Sequence, residues 1–257
     1  MKKLIKVFVI FVLLLVGIIF LGYYETKSLR VKEYNIVDKD LPDSFNGVKV
    51  IHFGDVLYGS SVDYKYLNKV VKEMNKYKPD IVIFTGDLSS KDSKLTKKNK
   101  EEIISCLKKI KPSLYKYAIY GDNDDKEYEE IMQDAGFIVL KDNYEELYYE
   151  SNTPIIIGNT DTDAELFTIR LVHKPDDIDK IAKDNVDVIL SGHSLNGQIR
   201  VPFYGALIRR SGAKKYTDDY YKFDNYKVYI TNGLGTNSPN LRILNTPSFN
   251  LYRLTNY

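Results

Sequence analysis

The stretch from Val186 to Pro202, VDVILSGHSLNGQIRVP, decides the fold. Its mostly apolar, β-branched run stops at Gly192-His193 and passes into a Gly-containing loop. That is the pattern of a buried strand whose carboxyl end presents a polar side chain. Ligands collect at the carboxyl ends of strands in open α/β sheets. The same arrangement recurs along the chain, with Asp55, Asp87, Asp122 and His173 in the place that His193 takes here.

Working outward, Asn46 to Phe53 (NGVKVIHF) reads as a strand that stops at Gly54-Asp55. Leu67, Val70, Val71 and Met74 then mark one face of a helix ended by Pro79, and Ile81 to Phe84 (IVIF) is a uniformly apolar strand leading to Gly86-Asp87. This βαβ unit implies a parallel strand pair. A charged surface segment, Lys91 to Lys100, leads into a second helix striped by Ile103, Ile104, Leu107 and Ile110. The strand Tyr117 to Tyr120 ends at Gly121-Asp122-Asn123-Asp124, and a third helix follows with Tyr128, Ile131, Met132 and Ala135 on one face and Gly136 closing it. Short strands dominate thereafter, at 137–140, 155–157, 167–172, 186–190, 199–201, 227–231 and 249–254, interrupted by one helix over 176–183. A βα-repeating first half and a strand-rich second half predict a mixed α/β domain with two sheets.

Composition sets the remaining bounds. The chain has 257 residues, 44% hydrophobic and 28% charged, which suits one sizeable globular domain. Lys2, Lys3 and Lys6 are the only charges in the first 24 residues, so the rest of the chain carries 34 basic and 35 acidic residues from totals of 37 and 35. No basic excess points to nucleic acid. The uncharged run Val7 to Tyr24 is long enough to cross most of a hydrocarbon layer. It closes with Gly22 and two tyrosines rather than a small-residue cleavage site. That favours an uncleaved transmembrane helix over a signal peptide. The expected organisation is an anchor at 1–24, a polar connector at 25–45 and a folded domain at 46–257, with the amino end inside and the domain extracytoplasmic. Cys106 sits in an apolar helical stripe and His52 within the first strand, so both are read as packing residues.

Two imidazoles and up to three carboxylates, His173, His193, Asp55, Asp87 and Asp122, thus gather at strand ends as a mixed nitrogen and oxygen ligand set suited to Zn, Mn, Fe or Mg. Any one of these aspartates alone would be read as a turn or cap residue; their repetition carries the inference. Ser194 does not make a nucleophile elbow, because the second glycine comes one residue late and no histidine follows. Arg209, Arg210, Lys214 and Lys215, with Tyr216, Tyr220 and Tyr221 nearby, read as a solvated loop, with an anionic head group beside the membrane as the other reading.

The ordered motifs DVL (55–57), GDL (86–88), GDND (121–124), VHKPD (172–176) and GHSLNGQIRVP (192–202) resemble those of the calcineurin-like metallophosphoesterases, in particular their membrane-associated bacterial branch. The resemblance implies an α/β/β/α sandwich of four layers, with two metal ions at the strand ends. One site would be Asp87, Asp122, His173 and His193, with Asp122 in place of an asparagine. The other retains only Asp55 and Asp87, because Leu57 and Leu195 stand where the family pattern has histidines, and leucine has no lone pair to donate. Asn123 replaces the histidine that serves the family beside the scissile phosphate. The resemblance therefore implies a divalent-metal centre holding one ion rather than two, acting on a phosphorylated small molecule or a lipid-linked substrate with impaired hydrolysis. The alternative is a silent module binding a phosphorylated ligand or protein partner.

Overall fold

The structure, a computed structural model, describes residues 1–91, 93–181 and 184–256. Four α-helices, α1 (Lys2–Thr26), α2 (Tyr64–Lys76), α3 (Lys97–Leu107) and α4 (Tyr128–Asp134), alternate with strands in the first half. The strands are β1 (Arg30–Val37), β2 (Lys49–Phe53), β3 (Ile81–Phe84), β4 (Tyr115–Ala118), β5 (Ile138–Val139), β6 (Tyr144–Leu147) and β7 (Ile155–Gly158). After them come β8 (Thr168–Val172), β9 (Val188–Ser191), β10 (Arg200–Val201), β11 (Gly205–Ala206), β12 (Tyr220–Lys222), β13 (Lys227–Ile230) and β14 (Ser248–Thr255). Two six-stranded sheets result, ordered β1-β14-β2-β3-β4-β5 and β12-β13-β9-β8-β7-β6. The pair β2 and β3 is parallel, as the crossover through α2 requires.

The layers follow from the period of two along each strand. Ile51, Phe53, Val82 and Phe84 point one way and join Leu67, Val70, Ile103, Cys106 and Met132 in a core beneath α2, α3 and α4. Val50, Ile81 and Ile83 point the other way and meet Ile157, Ile169, Leu171, Val188 and Leu190 of the second sheet. The outer face of that sheet, through Ile189, Val228 and Ile230, packs against Ile178, Tyr216 and Tyr226. The result is an α/β/β/α sandwich whose fourth layer is thin. It consists of a 3-10 turn at Pro175–Lys180 and a tyrosine-bearing loop. A longer helix over 176–183 was expected there. The Asp176 carboxylate instead accepts from the backbone of Lys214, Lys215 and Tyr216, tying the turn to that loop, while Ala182 and Lys183 lie outside the described residues.

Local chemistry starts the helices. Asp63 caps α2 by accepting from Tyr66 N at 2.8 Å, and Thr96 with Asn99 forms a capping box that begins α3 inside the charged segment. Asp92 of that segment lies outside the described residues. The fourth strand ends two residues earlier than the run YAIY suggested. His52 is buried between Tyr252 Oη at 3.1 Å and Thr85 Oγ1 at 3.0 Å, and Cys106 is buried in the core.

The polar segment after α1 differs from expectation. Arg30–Val37 is an edge strand paired in parallel with β14 along its whole length, and Ile36 is 1% exposed in the core between the sheets. Its apolar residues are too sparse to announce a strand, because one face carries the exposed Glu33 and Asn35 and the other carries Lys32, which bonds to Asp219 and Asn232. Helix α1 has a mean hydropathy of 3.2 over its most apolar window and none of that window is buried in the domain. Among the described residues it is the one helix long and apolar enough to cross a membrane.

Two measurements test this account. Ile36→Ala is expected to cost about 2–5 kcal/mol in urea denaturation, as for a core residue, rather than the few tenths typical of a linker. Burial lowers the His52 imidazole to about 3, so the unfolded chain takes up its proton first. Its contribution is constant at neutral pH and above, and is lost as pH falls below about 6.5. Relative to His52→Gln, the wild type is therefore expected to lose about 2 kcal/mol between pH 7.5 and pH 5.

Candidate metal centre

The carboxyl ends of five strands, three from one sheet and two from the other, deliver the polar side chains singled out in the sequence. Phe53 pairs with Phe84 across β2 and β3, which brings the turns carrying Asp55 and Asp87 side by side, with Asp55 N donating to Gly86 O at 2.9 Å. Val172 pairs with Ser191 across β8 and β9, and His173 and His193 follow directly. Asp55, Asp87 and His193 all have left-handed backbones, with φ of 48°, 61° and 61°. For residues with a side chain such a conformation costs of order 1–3 kcal/mol, and it turns these side chains sharply off the strand ends.

The two imidazoles have their tautomers set by main-chain carbonyls. His173 Nδ1 donates to Thr85 O at 2.7 Å, and His193 Nε2 donates to Ser211 O at 2.7 Å. Burial, together with the nearby His173 and Arg210, lowers His193 to about 4, so its ring is neutral at pH 7. With both rings in the neutral form that binds a metal, the remaining nitrogens, His173 Nε2 and His193 Nδ1, face each other at 3.1 Å as two lone pairs. Asp87 Oδ1 lies 3.5 Å from His173 Nε2. Two acceptors at that separation beside a carboxylate repel unless a cation lies between them. A histidine that donates its second N–H to a carbonyl is the usual oriented metal ligand. Among the described residues, Asp87, His173 and His193 bring one donor atom each to within 4.8 Å of one another.

Asp55 stands next to this group, fully buried. Its Oδ2 accepts from His193 N at 2.8 Å, whereas Oδ1 has no hydrogen-bond partner. Burial, and then the neighbouring Asp87 carboxylate, raise its carboxyl to about 6. A buried carboxylate oxygen without a hydrogen-bond partner is a second sign that the donor set suits a cation.

The Gly121–Asp124 turn is arranged differently from the expected ligand set. Asp122 is not in the donor group; it forms an ion pair with Lys174 at 2.7 Å. Burial pushes its carboxyl up, but Lys174 and the histidines outweigh this and hold it below its ordinary value. Asn123 is turned onto Asp87, donating from its backbone N to Oδ1 at 2.9 Å and from Nδ2 to Oδ2 at 2.8 Å. Asp124 accepts from Gly121 N, Asp87 N and Leu88 N and so pins the two aspartate turns together.

Leu57 and Leu195 are both fully buried and both left-handed, at φ 46° and 48°. They pack on one turn, Gly233–Gly235. A Cβ at Gly233 would lie 2.6 Å from Leu195 Cδ2 and 2.8 Å from Asp55 Cβ, and one at Gly235 would lie 2.6 Å from Leu57 Cβ. The leucines thus fill the space beside Asp55. The same turn's carbonyls, at Gly233 and Gly235, accept from the fully buried Arg242 guanidinium, which burial lowers to about 10.

Several participants had no sequence signal. Arg210, read as part of a solvated loop, donates to His193 O at 2.9 Å. Thr85 and Ser211 act through backbone carbonyls, which any residue supplies. Lys174 could have been suspected from its place directly after His173.

Comparisons with known proteins agree with this geometry. Residues 48–197 match the family described as calcineurin-like phosphoesterase. The uncharacterized metallophosphoesterase YkuE of Bacillus subtilis (strain 168) is 30% identical over 90% of this chain and 87% of its own. The phosphodiesterase YaeI of Escherichia coli (strain K12) is 23% identical over 73% of this chain and 75% of its own. A zebrafish (Danio rerio) transmembrane protein with metallophosphoesterase domain is 24% identical over 80% of this chain and 53% of its own.

Gly121 tests the donor geometry. A Cβ there would lie 2.9 Å from His173 Cε1 and press on the Asp87 carboxylate. Gly121→Ala is expected to cost about 1–3 kcal/mol from overpacking and to remove any rise in melting temperature that Mn²⁺ produces in the wild type, read by thermal denaturation.

Proposed function

Because the chain belongs to the calcineurin-like phosphoesterase family, we propose that it is a membrane-anchored, metal-dependent phosphoester hydrolase whose centre takes one divalent ion rather than two. The observation that carries this is the pair of bare imidazole nitrogens 3.1 Å apart beside Asp87. Asp87, His173 and His193 would hold the ion, with Asp55 Oδ1 as the next nearest free acceptor. Such an ion supplies Lewis-acid polarisation of a phosphoryl oxygen. The chain's own residues do the rest. Arg210 sets positive charge beside His193, suited to a phosphate, and Asn123 holds the Asp87 carboxylate in orientation. Helix α1 tethers the domain to a bilayer, and the three lysines that precede its apolar run support an inside amino end and an extracytoplasmic domain.

Impairment is the finer part of the reading. Leu57 and Leu195 occupy the neighbouring position, and an amide at Asn123 cannot protonate a leaving group, a role worth about 10²–10⁴ in rate. One observation favours a second reading. The Asp122–Lys174 pair leaves the centre only three donors, which suits binding a phosphorylated ligand without turnover.

Metal content and turnover of the full chain separate the two. The first reading expects one ion per chain, Mn²⁺-dependent hydrolysis of a generic phosphodiester, at least about a hundredfold loss on His193→Ala, and a gain when Leu57→His, Leu195→His and Asn123→His are combined. A thermal shift with Mn²⁺ but no turnover would establish the second reading. Absence of any bound metal would remove both.

A further inference from the structure

Outside α1, the four most exposed large apolar side chains among the described residues are Phe203 (111%), Tyr204 (70%), Leu244 (60%) and Leu207 (57%). They are not scattered. Three lie on the hairpin formed by β10 and β11, and the fourth on the loop 241–246 to which that hairpin is bonded. Arg200 N donates to Ile243 O at 2.9 Å, and Ile199 bridges Ile243.

That loop is seated on the last turns of α1. A Cβ at Gly22 would lie 2.7 Å from Arg242 O, and Arg242 N donates to Thr26 Oγ1 at 3.0 Å. The Glu25 carboxylate accepts from Leu244 N and Asn245 N, each at 2.8 Å. Gly22 belongs to the apolar run itself, and Tyr23 and Tyr24 beside it are exposed, as in an interfacial aromatic belt. The loop therefore sits at the level where the helix leaves the hydrocarbon. The hairpin tip is at most about 10 Å of extended chain beyond Arg200.

We propose that the hairpin Val201–Leu207, together with Leu244, is a second bilayer contact, inserting Phe203, Tyr204 and Leu207 into the headgroup region beside the helix. The inference rests on the reading of α1 as a membrane span. Exposed aromatic and leucine side chains flanked by Arg209 are the composition that partitions into an interface. The consequence for the site is direct. The hairpin's return strand runs into Arg210 and Ser211, whose side chain and carbonyl hold His193, so the candidate metal centre would be pressed against the phosphate layer.

The chain contains no tryptophan, so a single introduced indole reports its own position. Phe203→Trp, Phe20→Trp and Tyr148→Trp would each be made in the full chain and reconstituted into phosphatidylcholine vesicles, plain or brominated on the acyl chains. The expected result is about a twofold or greater quenching by brominated lipid for the Phe203→Trp and Phe20→Trp proteins and none for Tyr148→Trp, as for side chains seated about 5–10 Å into the boundary or deeper. Quenching at position 20 without quenching at 203 would overturn the hairpin contact while leaving the anchor intact. No quenching at position 20 would overturn the anchor and the inference with it, and quenching at 148 equal to that at 203 would show that the hairpin is not singled out.

Discussion

Two lone pairs that cannot face each other without a positive charge between them are the constraint around which this molecule is arranged. Thr85 and Ser211 turn the protonated nitrogens of His173 and His193 away, so the other two meet at 3.1 Å. The main chain brings the two rings together, and the Asp55 carboxylate and Arg210 guanidinium hold the His193 backbone in place. The parallel ladders of β2 with β3 and of β8 with β9 bring their turns together, and left-handed φ values at Asp55, Asp87 and His193 aim the side chains inward. Such strain persists only where surrounding structure over-determines it. Here the two sheets, packed face to face through a continuous core, supply that rigidity.

Beside this group the same backbone geometry carries apolar side chains. Leu57 and Leu195 keep the left-handed conformation although neither can donate a lone pair. Their side chains close on the Gly233–Gly235 turn and make apolar contact beside Asp55. Arg242 braces that turn from behind through the carbonyls of Asn232, Gly233 and Gly235, and its own backbone N–H is bonded to Thr26 at the end of α1. Helix α1 and the strand ends are thus joined by one loop with few intervening bonds. The helix is not a flexible tether, because its last turn is docked by Gly22, Glu25 and Thr26.

Much of this was legible in one dimension. Apolar runs broken by Gly-Asp or Gly-His located β2, β3, β4 and β9, because a strand buried on both faces is predominantly apolar and its turn must admit positive φ. The helices α2, α3 and α4 were legible from i, i+3, i+4 spacing. The edge strand Arg30–Val37 was not, since an edge with one solvated face reads like polar linker. Nor was the short 3-10 turn at Pro175–Lys180, where Asp176 bonds outward to a loop almost forty residues away in sequence.

By itself, then, the sequence determined which residue types stand at strand ends, that the amino terminus is apolar enough to enter a bilayer, and that leucines, which have no lone pair to donate, stand two residues after Asp55 and His193. Those are properties of residue identity and period. Only the tertiary structure decided that Asp122 turns to Lys174, that Asn123 grips Asp87, that Arg210 reaches His193, and that the exposed hairpin hangs from the loop docked on α1. Each of those is a choice among partners brought close by folding from distant parts of the chain. Their sequence separation hides them, because a side chain's partner is set by distance in space and by which backbone carbonyls and amides are already used.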